Sequence, residues 1–349
     1  MKTMLRIVIA ASFIGNLVAQ ESSSSAEDLL LNEHGKPDFQ GTWWYGSRTP
    51  LQRPKELGEK KAYTPAEAAQ IEQRLQDRNT ALFAPLSPNR SAPEKGAAIR
   101  QEADDNFLSH FQEPTLVPVN SEYRTSIIFS PADGRLPRKT MSKTPLKSTL
   151  ARNLAALDGP EGQPLSGRCL AFGAAIPSLT PIMMNPNLQI VQTEDHIMIM
   201  TEMVHDARVV KIYEGPTAPE PSFPKWMGDS RGYWDGATLV IQSRNFRAEQ
   251  TSLGRTPVSD QLEITERLTL TDDNNILYGF EVRDPVSFSA PIYGERVLTR
   301  NEPQEKIYEF ACHEGNYSLA NILMGARRQE FDSSRLELYD SQDQAAAER

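Results

Sequence analysis

From residue 188 onward, apolar and polar residues alternate with a period of two, the spacing of a strand with one buried face. Runs at 188–193, 197–203 and 207–213 are separated by gaps of turn length. A run at 238–243 follows the Asp235-Gly236 turn, 262–270 comes next, and 276–282 follows Asp272-Asp273-Asn274-Asn275. Runs at 292–298 and 307–311 complete the series. About eight strands at roughly ten-residue spacing, joined by Asp/Asn/Gly turns, predict an antiparallel meander closed into a barrel or sandwich. No helical crossover interrupts the series, which argues against a parallel α/β sheet.

The first half of the chain has a different pattern. Residues 33–165 carry many of the 25 prolines and few long apolar runs. Thr64-Pro65-Ala66-Glu67 is a helix start, with an N-cap hydroxyl, Pro in the first turn and an acid three residues on. Ala68, Ile71, Leu75 and Asn79 then share a face, so the helix is predicted to reach about residue 80. A second start at Thr144-Pro145 leads through Leu146, Leu150, Leu154 and Leu157 to the Gly159-Pro160 stop. These read as helical embellishments on a mainly β fold. One earlier strand joins the meander: Gly41-Thr42-Trp43 resembles the first-strand signature of lipocalin-like barrels, in which the Trp plugs the closed end.

Composition narrows the compartment and the partners. The chain has 349 residues, is 39% hydrophobic, and carries a net charge of −9. An acidic chain lacks the basic face that nucleic acids require. Lys2 and Arg6 precede an apolar run over residues 7–19 that ends on the small residue Ala19. That is the pattern of a secretory signal peptide, and the run is too short to span a bilayer. Residues 1–19 are therefore read as the signal, 20–36 as a Ser-rich flexible leader, and 37–326 as one β-rich domain. Within that domain 50–165 is helix- and loop-rich and 188–312 is the meander, with 327–349 as a charged tail. Location is expected to be secreted or periplasmic, with no integral membrane segment after cleavage. Cys169 and Cys312 are the two cysteines. In an oxidising compartment they read as one disulfide, and the alternative is two buried thiols.

Longer runs resemble an uncharacterised family of secreted bacterial proteins. They are Gly167-Arg168-Cys169-Leu170, Gln189-Ile190-Val191-Gln192-Thr193 and Thr201-Glu202-Met203-Val204-His205-Asp206-Ala207-Arg208, followed by Trp226-Met227-Gly228-Asp229-Ser230, Gly232-Tyr233-Trp234-Asp235-Gly236 and Ala311-Cys312-His313-Glu314-Gly315-Asn316-Tyr317. The similarity departs at Ala237, where those proteins carry a polar turn residue. The resemblance implies an exported location and a fold, and implies no reaction.

Candidate chemistry gathers around two short segments. Glu202, His205, Asp206 and Arg208 fall between two predicted strands. A Glu on the face of Met198 and Met200 would be desolvated, which raises its pKa toward acid/base use, with His205 as partner. The other reading is a turn pinned by a Glu–Arg pair. His313, next to Cys312, would be rigidly placed by a disulfide, or would simply end a strand. His205, His313 and a carboxylate could form a metal site only without the tight His spacing metals favour, so no metal is assigned. Trp226, Asp229, Tyr233 and Trp234 read as an aromatic-acidic cluster suited to a ring-shaped ligand, or as a packed barrel end. Arg208 and Arg267 are candidates for stabilising charge. Charges at 266–267, 281, 283–284 and 295–296 default to the solvent face, unless the lumen is polar.

The chain has no nucleophile elbow, phosphate loop or dinucleotide turn, and no cofactor is expected. The sequence therefore points to a barrel that binds a small, mostly apolar or aromatic molecule. The alternative is a cofactor-free lyase, isomerase or cyclase using Glu202 and His205.

Overall fold

The computed structural model describes residues 29–83, 89, 115–139, 157–163, 165–170, 186–205, 207–217, 223–247, 252–253 and 256–347. In chain order its strands begin with β1 (Gly41–Trp44), β2 (Ala62–Tyr63), β3 (Tyr123–Arg124), β4 (Ile128–Ser130) and β5 (Asn187–Gln192). They continue with β6 (His196–Thr201), β7 (Ala207–Tyr213), β8 (Asp229–Asp235), β9 (Thr238–Arg244), β10 (Ser252–Leu253) and β11 (Thr256–Pro257). The last three are β12 (Glu263–Asp272), β13 (Asn275–Arg283) and β14 (Ile292–Arg300), and the described α-helices are α1 (Pro65–Phe83) and α2 (Tyr317–Ala347).

Nine strands close into a barrel in the order β1-β5-β6-β7-β8-β9-β12-β13-β14, with β14 returning to β1. β1 is short and closes only the end of β14, pairing Trp43 with Arg300 and Trp44 with Thr299. Further along the same edge, β4 takes over at Tyr293 and Gly294. The short strand β4, with Ile128 buried in the core, thus finishes the closure that four residues of β1 cannot reach. This removes the exposed strand edge that would otherwise invite association.

The alternation read from the sequence is the alternation observed. Ile264, Leu268 and Leu270 of β12 and Ile276, Tyr278, Phe280 and Val282 of β13 point inward and are buried. Leu188, Ile190, Ile197, Ile199, Val210, Leu239 and Ile241 join them in one core. Two-residue periodicity buries one face of every strand, so a register slip by one residue would expose all of these side chains.

One end of the barrel is shut. The turns after β5, β8 and β12 are tight there; at the last, Asp272 Oδ1 accepts the Asn274 N–H at 2.8 Å. Trp43 is fully buried and donates its indole N–H to Phe39 O at 2.9 Å. The Arg300 guanidinium lies 4.2 Å from the Trp43 ring centroid and donates to the carbonyls of Asp273, Gln40 and Asp38. Residues 29–36, read as the end of a flexible leader, are held here too: Leu30 N–H donates to Asp273 Oδ1 at 3.0 Å and Lys36 Nζ lies over Trp234.

Three expectations need correction. β7 and β8 pair in parallel, so the chain between Tyr213 and Asp229 returns from the closed end to the mouth. β8 itself escaped the periodicity reading. Its inward position is Gly232, where a Cβ would meet Ile212, Val210 and Leu239, so the apolar signal comes from its neighbours. Residues 307–311 form no strand; their backbone serves other partners, described below.

The helix predicted from Thr64 is α1, and the capping box is real: Glu67 N–H donates to Thr64 Oγ1, and Thr64 N–H to Glu67 Oε2. The second predicted helix, from Thr144 to Leu157, lies outside the described residues except at Leu157, which is in a turn. The charged tail is part of α2, which begins ten residues before the expected boundary at 327. Among the described residues no helix is long and apolar enough to cross a membrane. A disulfide joins Cys169 to Cys312 across 143 residues.

Candidate functional site

The mouth is the end opposite the Trp43 plug, and most of the sequence-predicted residues lie around it. Glu202 follows directly on β6 and is 2% exposed. It does not share a face with Met198 and Met200, which occupy the half-exposed outer side of β6. Its carboxylate accepts Asn187 Nδ2 at 2.6 Å and the Tyr308 N–H at 3.2 Å. Here the 307–311 segment spends its hydrogen-bonding groups on the barrel instead of forming a strand.

His205 is exposed and adopts a left-handed backbone conformation, φ 49°. Its Nδ1 lies 3.0 Å from Phe310 O. The Glu202 and His205 side chains are therefore held by different partners and face a buried and an exposed environment respectively. Asp206 lies outside the described residues. His313 is exposed on the loop beside the disulfide, and the 165–170 segment that Cys169 anchors is a turn. Among the described residues no group of three His, Cys, Asp or Glu side chains gathers to hold a metal.

The aromatic-acidic cluster separates as well. Asp229 and Trp234 stand at opposite ends of the seven-residue strand β8, roughly 17 Å apart at strand rise. Trp234 stacks on Phe39 at the closed end, with centroids 5.9 Å apart. Trp226 precedes β8 at the mouth, with the Arg247 guanidinium 4.2 Å from its ring centroid. Asp229 accepts Lys225 Nζ at 2.7 Å and Arg231 Nε and Nη2 at 2.9 and 2.8 Å. Burial would raise its pKa, but these cations outweigh burial and hold it below the usual carboxylate value. Arg267 points outward to Asp235, at 2.7 Å on the exposed side of the barrel, and is removed from the list of lumen charges.

Arg208 does enter the lumen, and there it meets a residue that the default solvent-face reading of strand charges missed. Its guanidinium makes a two-pronged pair with Glu266, Nη1 to Oε2 at 2.7 Å and Nη2 to Oε1 at 2.9 Å. The two side chains are 2% and 0% exposed. Tyr278 Oη donates to Glu266 Oε1 at 2.8 Å, and Ser230 and Ser243 hydroxyls lie 2.7 Å apart beside Arg208. Burial alone would lower the Arg208 pKa; the Glu266 charge overcomes it and raises it. Tyr278 pairs across the ladder with Arg296, whose guanidinium donates to Tyr45 O. Burial pulls Arg296 down to about 10, so it remains a cation at neutral pH. Burial likewise pushes the Tyr45 phenol above its ordinary value.

The signal for Glu266 and Arg296 was present. Glu266 is in phase with Ile264 and Leu268, and Arg296 with Ile292 and Leu298. A charge on the apolar phase of a strand marks a buried polar group.

The open space lies beside the lumen. A cleft of about 740 Å³ opens on the rim between the ends of β9 and β13 and the starts of β12 and β14. Its apolar wall is Leu262, Pro285, Phe288 and Pro291; Lys139, Arg244 and Arg283 supply cations, and Asp260, Glu263 and Asp284 acids. Glu263 and Arg283 pair across strands on the outward face, so the cleft spreads over the rim. Its loop is pinned by Asp284, which accepts Ser259 N–H and Oγ at 2.6 and 2.8 Å and the N–H groups of Val286 and Ser287. Against its burial, these bonds hold the Asp284 carboxyl below its usual pKa. No described cavity is lined by Glu266, Tyr278 or Arg296.

No family model, curated protein or solved structure matches the chain.

Proposed function

We propose that this protein is an exported barrel that binds a small molecule with an apolar or aromatic body in the rim cleft. The observation that carries the reading is the cleft itself: about 740 Å³, the size of small-molecule sites, with an apolar wall and a few fixed polar groups. The lumen supports it by exclusion, because its central charges, Arg208 and Glu266, are paired to each other, with Tyr278 on Glu266, and are packed among core side chains. Export is supported by the basic-then-apolar pattern of residues 1–19 and by the Cys169–Cys312 disulfide, which persists in oxidising compartments. The lipocalin-like reading draws on the Gly41-Thr42-Trp43 signature and on the Trp43 plug under Arg300. The acid/base alternative loses its main support, since the Glu202 and His205 side chains do not converge.

The test is binding of N-phenyl-1-naphthylamine, a neutral aromatic probe that fluoresces when removed from water. Saturable enhancement at micromolar probe, abolished by Ala290→Asp, at an exposed position of the lining, in a variant that keeps its melting midpoint, is the expected result. No enhancement, or enhancement unchanged by that variant, refutes the cleft as the site. Intact mass of the protein from its own host that matches a chain beginning at Gln20 would support export, and a retained Met1 would refute it.

A further inference from the structure

A second cavity, of about 290 Å³, adjoins the cleft on the outer face of the barrel. Arg231, Gln242 and Thr265 line it as consecutive cross-strand neighbours on β8, β9 and β12. Arg244 and Glu263 line both spaces, so the two are continuous along one wall. Resting on the ligand reading above, we infer that the bound molecule is an organic acid, with its apolar body in the larger cleft and its oxyanion at Arg231.

The state of the Arg231 guanidinium carries the inference. Two of its nitrogens, Nε and Nη2, donate to Asp229 Oδ2, which fixes the plane of the group. The other oxygen of Asp229 is held by Lys225. The third nitrogen, Nη1, is buried and has no hydrogen-bond partner among the described residues. A buried N–H donor left unmade is costly, and a guanidinium donor is best satisfied by a carboxylate or other oxyanion. Here the donor is oriented in advance by its own ion pair, which lowers the ordering cost of binding.

The neighbours fit the same class. Gln242 and Thr265 offer neutral hydrogen-bonding groups, and Arg244 brings a second cation at the junction of the two spaces. Glu263, the acid at that junction, stands across the ladder from Arg283, and Asp229 across from Arg244. An oxyanion held in this cavity lies beside Arg231 and Arg244.

The test uses two probe pairs on the full-length mature protein. The anionic probe 8-anilinonaphthalene-1-sulfonate and neutral N-phenyl-1-naphthylamine are titrated directly, and decanoate and decanol compete against each. Wild type should bind the sulfonate probe and decanoate at least tenfold more tightly than their neutral counterparts. Arg231→Met should abolish that preference and leave neutral-probe affinity unchanged. Because Arg231→Met also removes a partner of Asp229, Gln242→Glu is the second variant: it keeps Arg231 and sets a carboxylate opposite it. It should remove the preference equally while the melting midpoint stays put. Failure of both probes to bind overturns the ligand reading itself. Binding of the neutral probe with equal decanoate and decanol affinities overturns only the organic-acid inference. Displacement of the sulfonate probe by inorganic sulfate as effective as by decanoate also overturns it, since the apolar body would then contribute nothing.

Discussion

Replacing Glu266 by Gln tests whether the lumen pair is a structural element. The change keeps the size of the side chain and removes its charge. Glu266 is wholly buried and accepts three hydrogen bonds at 2.7–2.9 Å, two from Arg208 and one from Tyr278. Glutamine offers one carbonyl oxygen and sets an NH2 against the remaining donors. Arg208 is then a buried cation with its counter-charge gone. Breaking such a pair from one side costs about 3–5 kcal/mol. For a domain of this size that corresponds to roughly 10 °C in Tm. Urea denaturation followed by tryptophan fluorescence measures it, with the shift read in the midpoint at constant slope. The double variant Arg208→Met, Glu266→Leu removes both charges and keeps most of the volume, so it should recover most of the loss. A Glu266→Gln loss below about 1 kcal/mol would refute the reasoning, as would a double variant less stable than the single. Neutral-probe binding at the rim should not change in any of the three.

Other perturbations follow from the same contacts. Cys169→Ser with Cys312→Ser opens a loop of 143 residues and should lower stability by about 5 kcal/mol in the loop-entropy model, checked by denaturation with and without reductant. Asp284 has a folded-state pKa below its unfolded value of about 3.9, so its contribution is full above that pH and is lost as pH falls through the folded value. Asp284→Asn should therefore flatten the stability-versus-pH curve below about pH 4, and an unchanged acid limb would contradict the assignment. Gly294→Ala would drive a methyl into the Phe280 ring and should cost about 1–3 kcal/mol, measured by thermal melting. Arg300→Ala uncovers Trp43 and strands three carbonyls, so a red-shifted emission and a loss of about 3 kcal/mol are expected.

Most of the barrel was legible because its strands alternate cleanly. β7 begins and ends where the alternation does, at Ala207 and Tyr213, and β12, β13 and β14 extend it by one to two residues at their ends. What was hidden depends on packing between strands. β8 carries Ser230 and Gly232 at inward positions, and neither announces a buried face. The space they leave is filled by Arg208 from β7 and by Leu239 from β9. The parallel β7–β8 pair was hidden for a related reason: alternation marks a strand and not its direction, and the sequence between Tyr213 and Asp229 carries no helical pattern to announce a crossover. The run at 307–311 shows the opposite error, since apolar alternation there has no free strand edge to join once β1 and β4 have closed β14.

The same closure explains why the candidate site was less legible than the fold. A barrel of about eight or nine strands has an interior that side chains just fill. In this chain Trp43 plugs the closed end, the Phe280 ring lies over Gly294, and the middle is crossed by Arg208, Glu266 and Tyr278. A ligand in the lumen would have to displace paired charges, whose exposure to one another is what makes their burial tolerable. The rim asks for no such exchange. Its loops are already held by Asp284 and by the Lys139 bond to Pro285 O, and its space is already open. Lys139, Arg244, Leu262 and Phe288 come from separate stretches of sequence, and none carries a motif. They become a wall only when β12, β13 and β14 bring their mouth ends together, which is why the residues of the cleft could be found only after the barrel was closed.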